Sequence, residues 1–414
     1  MKLLERSSGV LLHITSLPGG TLGRDAYRFV DWLAEAGQSW WQVLPISPPD
    51  RFNSPYKAAS AFAGWRGLLA APRARVRASE LAELREREAY WIEDWATLGP
   101  GRRSELYADQ VRFEREWRAL RAYAAERGVR VLGDVAIYVA PGSVDHRAHA
   151  ELFNDALLAG APPDDYSALG QLWGNPVYHW PALRASGYAW WVARLRRNLE
   201  LFDAVRLDHF RGFVSYWGVP AGAPDARFGR WHRGPGQALF EAFTGALGPA
   251  LPLVAEDLGA ITPAVEGLRD RLALPGMLVL QFGFGGARAE ASSPHAPANH
   301  ARERFVYIGT HDHDTAAGWY QNATEATRQR VELACAAAGI DEAEPWWRLV
   351  RLCLSSRAAV SIVQAQDVLG LGSRTRMNNP GKQGGNWRWR LEPGALDGAL
   401  AARLREATLV AGRV

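Results

Sequence analysis

Val205-Arg206-Leu207-Asp208-His209-Phe210-Arg211-Gly212 is a short apolar run that ends on a carboxylate and then on turn-forming residues. Two further runs end the same way, Val254-Ala255-Glu256-Asp257-Leu258-Gly259 and, after Phe305–Ile308, Gly309-Thr310-His311-Asp312-His313-Asp314-Thr315. Runs of this kind recur along the chain, each followed by a stretch with helical spacing, which is the rhythm of repeated βα units. Eight strands are expected: Val10–Ile14, Trp40–Leu44, Val129–Val135, Ala204–Leu207, Leu251–Ala255, Met277–Gln281, Phe305–Ile308 and Ala359–Val363. The last is interrupted by Ser361. Eight parallel strands with helices between them predict an α/β fold, a TIM (β/α)8 barrel whose working face lies at the carboxyl ends of the strands. A doubly wound open sheet is the competing arrangement.

A single barrel over 1–414 accommodates the length, with two intervals outside the minimal repeat. Residues 57 to about 127 hold charged segments of helical character, split by Gly99-Pro100-Gly101, and are expected to be an inserted helical segment. Residues 160–181 are rich in turn formers and aromatics, with no regular period, and are expected to be a long lid-like loop.

Composition removes several classes of function. Lys+Arg 48 against Asp+Glu 44 leaves a net charge of +4, with lysine confined to Lys2, Lys57 and Lys382 and no block of like charge, so no nucleic-acid partner is expected. No stretch reaches the ~18 apolar residues of a membrane span, and Met1-Lys2-Leu3-Leu4-Glu5-Arg6 puts charges where a signal peptide has an apolar run. Cys335 and Cys353 are too few for a disulfide framework. These features predict a soluble cytoplasmic protein. The 18 tryptophans are the unusual count, and flat indole faces suit sugar rings as well as core packing.

An acidic residue at a strand end commonly caps the next helix or pairs with arginine. Three on one barrel face would share one bowl, and two carboxylates flanking a bond are what glycoside cleavage needs. Arg206, two residues before Asp208 and on the same side of an extended strand, holds Asp208 ionised. Glu256, facing the charges of Asp208 and Asp312, is pushed towards its protonated form and can donate a proton.

With these residues in view, the chain resembles the amylomaltases, the 4-α-glucanotransferases of the wider α-amylase superfamily. The resemblance rests on Arg-x-Asp-His-Phe-Arg-Gly at 206–212, Ala-Glu-Asp-Leu-Gly at 255–259 and Gly-Thr-His-Asp-x-Asp-Thr at 309–315. It extends to Trp41-Gln42-Val43-Leu44-Pro45, Ser54-Pro55-Tyr56, Gly133-Asp134, Gly170-Gln171-Leu172-Trp173-Gly174-Asn175-Pro176 and Arg376-Met377-Asn378. It implies Asp208 as nucleophile, Glu256 as acid/base and Asp312 as the carboxylate that grips sugar hydroxyls. It also implies Tyr56 stacking under the sugar, Arg206 and His311 around it, and Ser54, Gln171, Trp173, Asp257 and Asn378 near the glucan path. Asp134 matches a barrel-end acid of more structural character. The implied donors and acceptors are maltooligosaccharides and α-1,4-glucans, with no cofactor and no metal.

Three positions depart from the family pattern. Ala136 stands where proline is usual, His313 where asparagine is usual, and the segment after Tyr56 is shorter, with Trp65-Arg66 in place of Asn-Pro. Two rival readings follow from single features. His311-x-His313 on a strand would project both imidazoles one way, as in metal-dependent barrel hydrolases. The short segment after Tyr56 would suit a non-catalytic glycan-binding derivative.

Overall fold

The computed structural model describes residues 3–164, 167–285, 292–382 and 384–414. Eight strands form one sheet: β1 (Ser7–Leu11), β2 (Trp40–Gln42), β3 (Arg130–Val135), β4 (Ala204–Leu207), β5 (Leu253–Ala255), β6 (Gly276–Val279), β7 (Arg304–Tyr307) and β8 (Val360–Gln364). They are short, and nearly every residue in them is buried, as in parallel sheets covered on both faces. Their order is β6-β7-β8-β1-β2-β3-β4-β5. Apart from β5 and β6, which end the order, each strand lies beside its neighbour in the chain, and β8 pairs with β1 in parallel from Ser7↔Val360 to Leu11↔Gln364. A doubly wound sheet reverses its order at a central strand and keeps first and last strands apart. The cyclic order is that of a (β/α)8 barrel.

The chain divides into two compact units, residues 1–43, 119–132 and 275–414, and residues 44–118 and 133–274. In the first, the Trp41 indole donates to the Leu12 carbonyl at 2.7 Å, and the Arg130 guanidinium lies 3.8 Å over the Trp40 ring. Arg413, 2% exposed, donates to the carbonyls of Ser7, Leu354, Ser356, Ala358 and Ala359, tying the end of the chain to β1 and to the approach to β8.

The second unit holds most of the interval expected to be a helical insertion. Helices Ala78–Arg87, Ile92–Leu98 and Arg103–Glu126 fill that interval. Arg197, on helix Ala189–Leu201, anchors it by reaching Glu114 at 3.0 Å and Glu88 at 3.4 Å, with all three side chains under a tenth exposed. Breaking a buried ion pair costs about 3–5 kcal/mol. Because Arg87 and Arg118 still reach Glu114, Arg197→Met is expected to cost about 3 kcal/mol, the lower end of that range. Urea denaturation checks this, and an unchanged midpoint contradicts it.

The expectation of a loop over 160–181 is corrected. Gln171–Tyr178 is a strand in a four-stranded antiparallel sheet with Phe153–Ala161, Ser215–Pro220 and Arg230–Arg233. Only 162–170 connect the first two strands, and within that connection Asp165 and Tyr166 lie outside the described residues. Period-2 alternation is hidden here by two register shifts between Asn154 and Gly160, by Gly174 at φ 78° and by Pro176 opposite Leu158. Among the described residues no helix is long and apolar enough to cross a membrane.

Candidate active site

Arg206 and Asp208 share one side of β4 because side chains two apart in a strand point the same way. An arginine 3% exposed inside a strand needs acceptors, and it finds three carboxylates. Its Nη1 donates to both oxygens of Asp134 at 2.9 Å and to Asp208 Oδ1 at 2.9 Å, and its Nη2 lies 3.7 Å from Glu256 Oε2. Burial works against its charge, yet these carboxylates hold its pKa well above the ordinary value. Asp134 follows Gly133, where an added Cβ would fall 2.1 Å from the Phe202 ring, so the end of β3 can pack there only as glycine. Tyr56, 78 residues away in sequence, donates its hydroxyl to Asp134 Oδ2 at 2.7 Å.

Glu256, 11% exposed at the end of β5, accepts the backbone N–H of His209 at 2.7 Å and of Leu258 at 2.9 Å. His209 takes a left-handed conformation, φ 47°, which aims its N–H at the carboxylate. Burial pushes Glu256 up to about 8, and the Asp208 charge adds to the rise against the pull of Arg206 and the two N–H bonds. Asp208 and Glu256 thus border one guanidinium, and Glu256 is pushed towards its protonated form.

Around this cluster, Trp173 meets the His209 ring edge-on at 4.9 Å and donates to Gln171 Oε1 at 3.1 Å. Ser54 is held through its backbone N–H by Asp50 at 2.8 Å. A cavity beside Tyr56 and Asp134 is bordered by Ala136. Asp257 faces elsewhere: it is buried and ion-paired with Arg269 of helix Pro263–Arg271. His209 and Tyr138, whose ring lies 6.3 Å from that of Trp173, were not singled out in the sequence. The signal for His209 was its place directly after Asp208.

A second cluster forms at the end of β7. Asp312 Oδ1 accepts the Asn378 amide at 2.6 Å, and Oδ2 lies 3.2 Å from His311 Nε2. Although burial opposes its charge, His311 and the Asn378 amide hold Asp312 below the usual carboxylate range. Arg376, part of the Arg376-Met377-Asn378 motif but given no role from the sequence, donates to the Asp312 carbonyl at 3.0 Å, and the Asn378 N–H donates to the His311 carbonyl at 3.1 Å.

The rival reading of His311-x-His313 as a metal pair lacks the strand geometry it needs. Residues 311–313 are a turn, so the strand alternation that would align the two rings does not apply. His311 Nε2 faces Asp312, whereas His313 Nδ1 faces Thr310 at 2.8 Å.

Comparison with known proteins places the chain in one family. The 4-alpha-glucanotransferase family profile matches residues 12–96 and 79–396. The 4-alpha-glucanotransferase of Thermus thermophilus is 40% identical over 97% of this chain and 98% of its own length. That of Synechocystis is 39% identical over 99% and 98%. The solved amylomaltase of Streptococcus agalactiae in complex with acarbose superposes with a TM-score of 0.91 at 30% identity, covering 99% of this chain and all of that one.

Proposed function

The chain belongs to the 4-alpha-glucanotransferase family and is an enzyme of that activity on α-glucans, and from that premise we propose a retaining double displacement between maltooligosaccharides. Glu256 gives its proton to the glycosidic oxygen as an Asp208 oxygen attacks the anomeric carbon. The old C–O bond breaks, the shortened glucan leaves, and a glycosyl-aspartate ester remains. Glu256, now a carboxylate, removes the proton from the 4-hydroxyl of an acceptor glucan, whose oxygen displaces Asp208 with net retention. Asp312 binds sugar hydroxyls and supports the oxocarbenium-like transition state, oriented by His311 and Asn378. Tyr56 stacks under the sugar at the cleavage point.

One observation carries this reading: a single guanidinium lies between a carboxylate and a carboxyl that is pushed up to about 8. The raised proton affinity of Glu256 is what assigns it as the acid, with Asp208 on the same guanidinium as the nucleophile. It also sets a pH profile. Activity needs Glu256 protonated in the free enzyme, so kcat/KM should fall on the alkaline side with a half-point near 8. Glu256→Asp should move that limb; a limb unchanged in that variant assigns the acid to another group.

The edge-on packing of Trp173 against His209 supports shielding of the ester from water by this part of the four-stranded sheet. The short interval after Tyr56 supports a limit on chain length, because remote contacts are a source of binding energy that a trimmed site lacks. Maltotriose should therefore yield a ladder of shorter and longer glucans, with weak use of long amylose and few large rings. Thin-layer separation of products tests the function. Glucose and maltose alone would mean hydrolysis, no change would mean a binding protein, and abundant large rings from amylose would refute the chain-length limit. The two free, buried thiols support a reducing, cytoplasmic setting.

A further inference from the structure

We infer that Asp367 is a positioning residue for the carboxylate of Asp312. The inference rests on the role proposed above for Asp312 and adds a residue that touches neither sugar nor reacting atoms.

Asp312 sits on the turn between β7 and helix Ala316–Asn322, and a turn holds a side chain only as well as its two ends are held. The β7 end is fixed by the sheet. At the far end the Ala316 N–H donates to Asp367 Oδ1 at 2.6 Å, and the Gln364 N–H donates to Asp367 Oδ2 at 3.3 Å. Asp367 is 0% exposed, so its carboxylate bolts the first residue of that helix to the last residue of β8, four positions beyond Asp312. Lesser ties act on the same turn. Gln281 donates to the Asp314 carbonyl at 2.7 Å, Ser373 to Asp314 Oδ2 at 2.7 Å, and Thr315 accepts the Gly318 N–H at 3.1 Å.

Asp367 is the fully buried carboxylate of this set, and two oxygens aimed at two backbone donors are what the joint needs. An amide cannot replace it, because its nitrogen would face one of those N–H groups. Burial, with the nearby Asp314 charge, pushes Asp367 up to about 7 against the opposing pull of the Ala316 and Gln364 N–H bonds. Small misplacements of a group that acts in the transition state cost turnover more than binding.

The test uses the full-length enzyme with α-maltosyl fluoride as an activated donor, so that slow variants remain measurable. Asp367→Asn is expected to lower kcat by roughly 10–100-fold with KM within about twofold, which is the pattern of lost positioning. In an Asp312→Asn background the same change should cost less than about threefold, since there is no longer a carboxylate to position. If Asp367→Asn does not fold, Ala316→Pro replaces it. It deletes the N–H that Asp367 accepts, at the first helical position, where proline is tolerated. Losses that multiply in the two backgrounds, a change in KM alone or unchanged kcat would overturn the inference and leave the role of Asp312 standing. Near-normal turnover of Asp312→Asn alone would overturn the role of Asp312, and this inference with it.

Discussion

Asp208→Asn and Glu256→Gln should each lower turnover on maltotriose by roughly 10⁴-fold, the scale of removing a nucleophile or its proton-transfer partner, while the protein stays folded. Stability is what separates a catalytic acid from a structural one. Asparagine at 208 keeps an oxygen for Arg206 in a side chain that is 23% exposed, so the ion cluster loses little. For Glu256 the sign can be worked out. Its folded pKa of about 8 lies above the ordinary 4.5, so the folded state holds a proton that the unfolded state has released. Below about 4.5 both states are protonated and nothing is lost. Between the two values stability falls as pH rises, and above about 8 the full cost of a buried charge is present. Glutamine needs no proton, although its nitrogen must face one of the two backbone N–H groups that Glu256 accepts, so Glu256→Gln should lose activity while any stability deficit against the parent shrinks as pH rises towards 9. Parallel activity and melting curves between pH 5 and 9 check both halves. Near-normal turnover would remove either residue from the mechanism, and a collapse of stability that tracks the activity would make it structural.

The parts of the barrel that could be read in the sequence are those where burial and apolarity coincide. β4 falls on Ala204–Leu207 as expected because its one polar residue, Arg206, serves the site. β1 begins three residues earlier than expected, at Ser7. Ser7 and Ser8 look like loop residues, but Ser7 Oγ is buried against the Trp40 indole, which donates to it at 3.1 Å. Ser361 interrupts β8 only on paper, since its hydroxyl reaches Cys353 Sγ at 3.3 Å.

Within the site, local pairs were legible and distant ones were not. Arg206 and Asp208 are two apart on a strand, which fixes their relation. No spacing rule joins Tyr56 to Asp134, and only a family resemblance had put both near the sugar. The same strand rule explains the least direct of the candidates. Asp257 follows Glu256, so the two side chains leave opposite sides of the backbone, and Asp257 turns to Arg269. Arg376 was quoted in its motif but given no role, because its contact is with a backbone carbonyl, which no side-chain pattern records.

Arg206→Met should be the most damaging single change in the second unit, and its cost should depend on pH. The guanidinium is the cation shared by Asp134, 1% exposed, Asp208 and Glu256. Methionine fills much of the same volume but leaves buried carboxylates facing one another, and stripping one partner from a buried pair costs about 3–5 kcal/mol. Without the cation those carboxyl groups would bind protons more tightly in the folded state than in the unfolded one. The penalty is then absent at low pH, where both states are protonated, and grows as pH rises through the unfolded carboxylate values. Arg206→Met should therefore melt near the parent at pH 4 and far below it at pH 8. Arg206→Lys keeps one charge but not the fork that reaches two acids at once, so it should recover part of the stability and little of the turnover. Denaturant melts of the three proteins at pH 4, 6 and 8 decide the matter. A deficit of equal size at every pH would mean that Arg206 acts by packing, and full activity in the lysine variant would show that its charge alone, and not its shared grip on Asp134 and Asp208, sets the nucleophile.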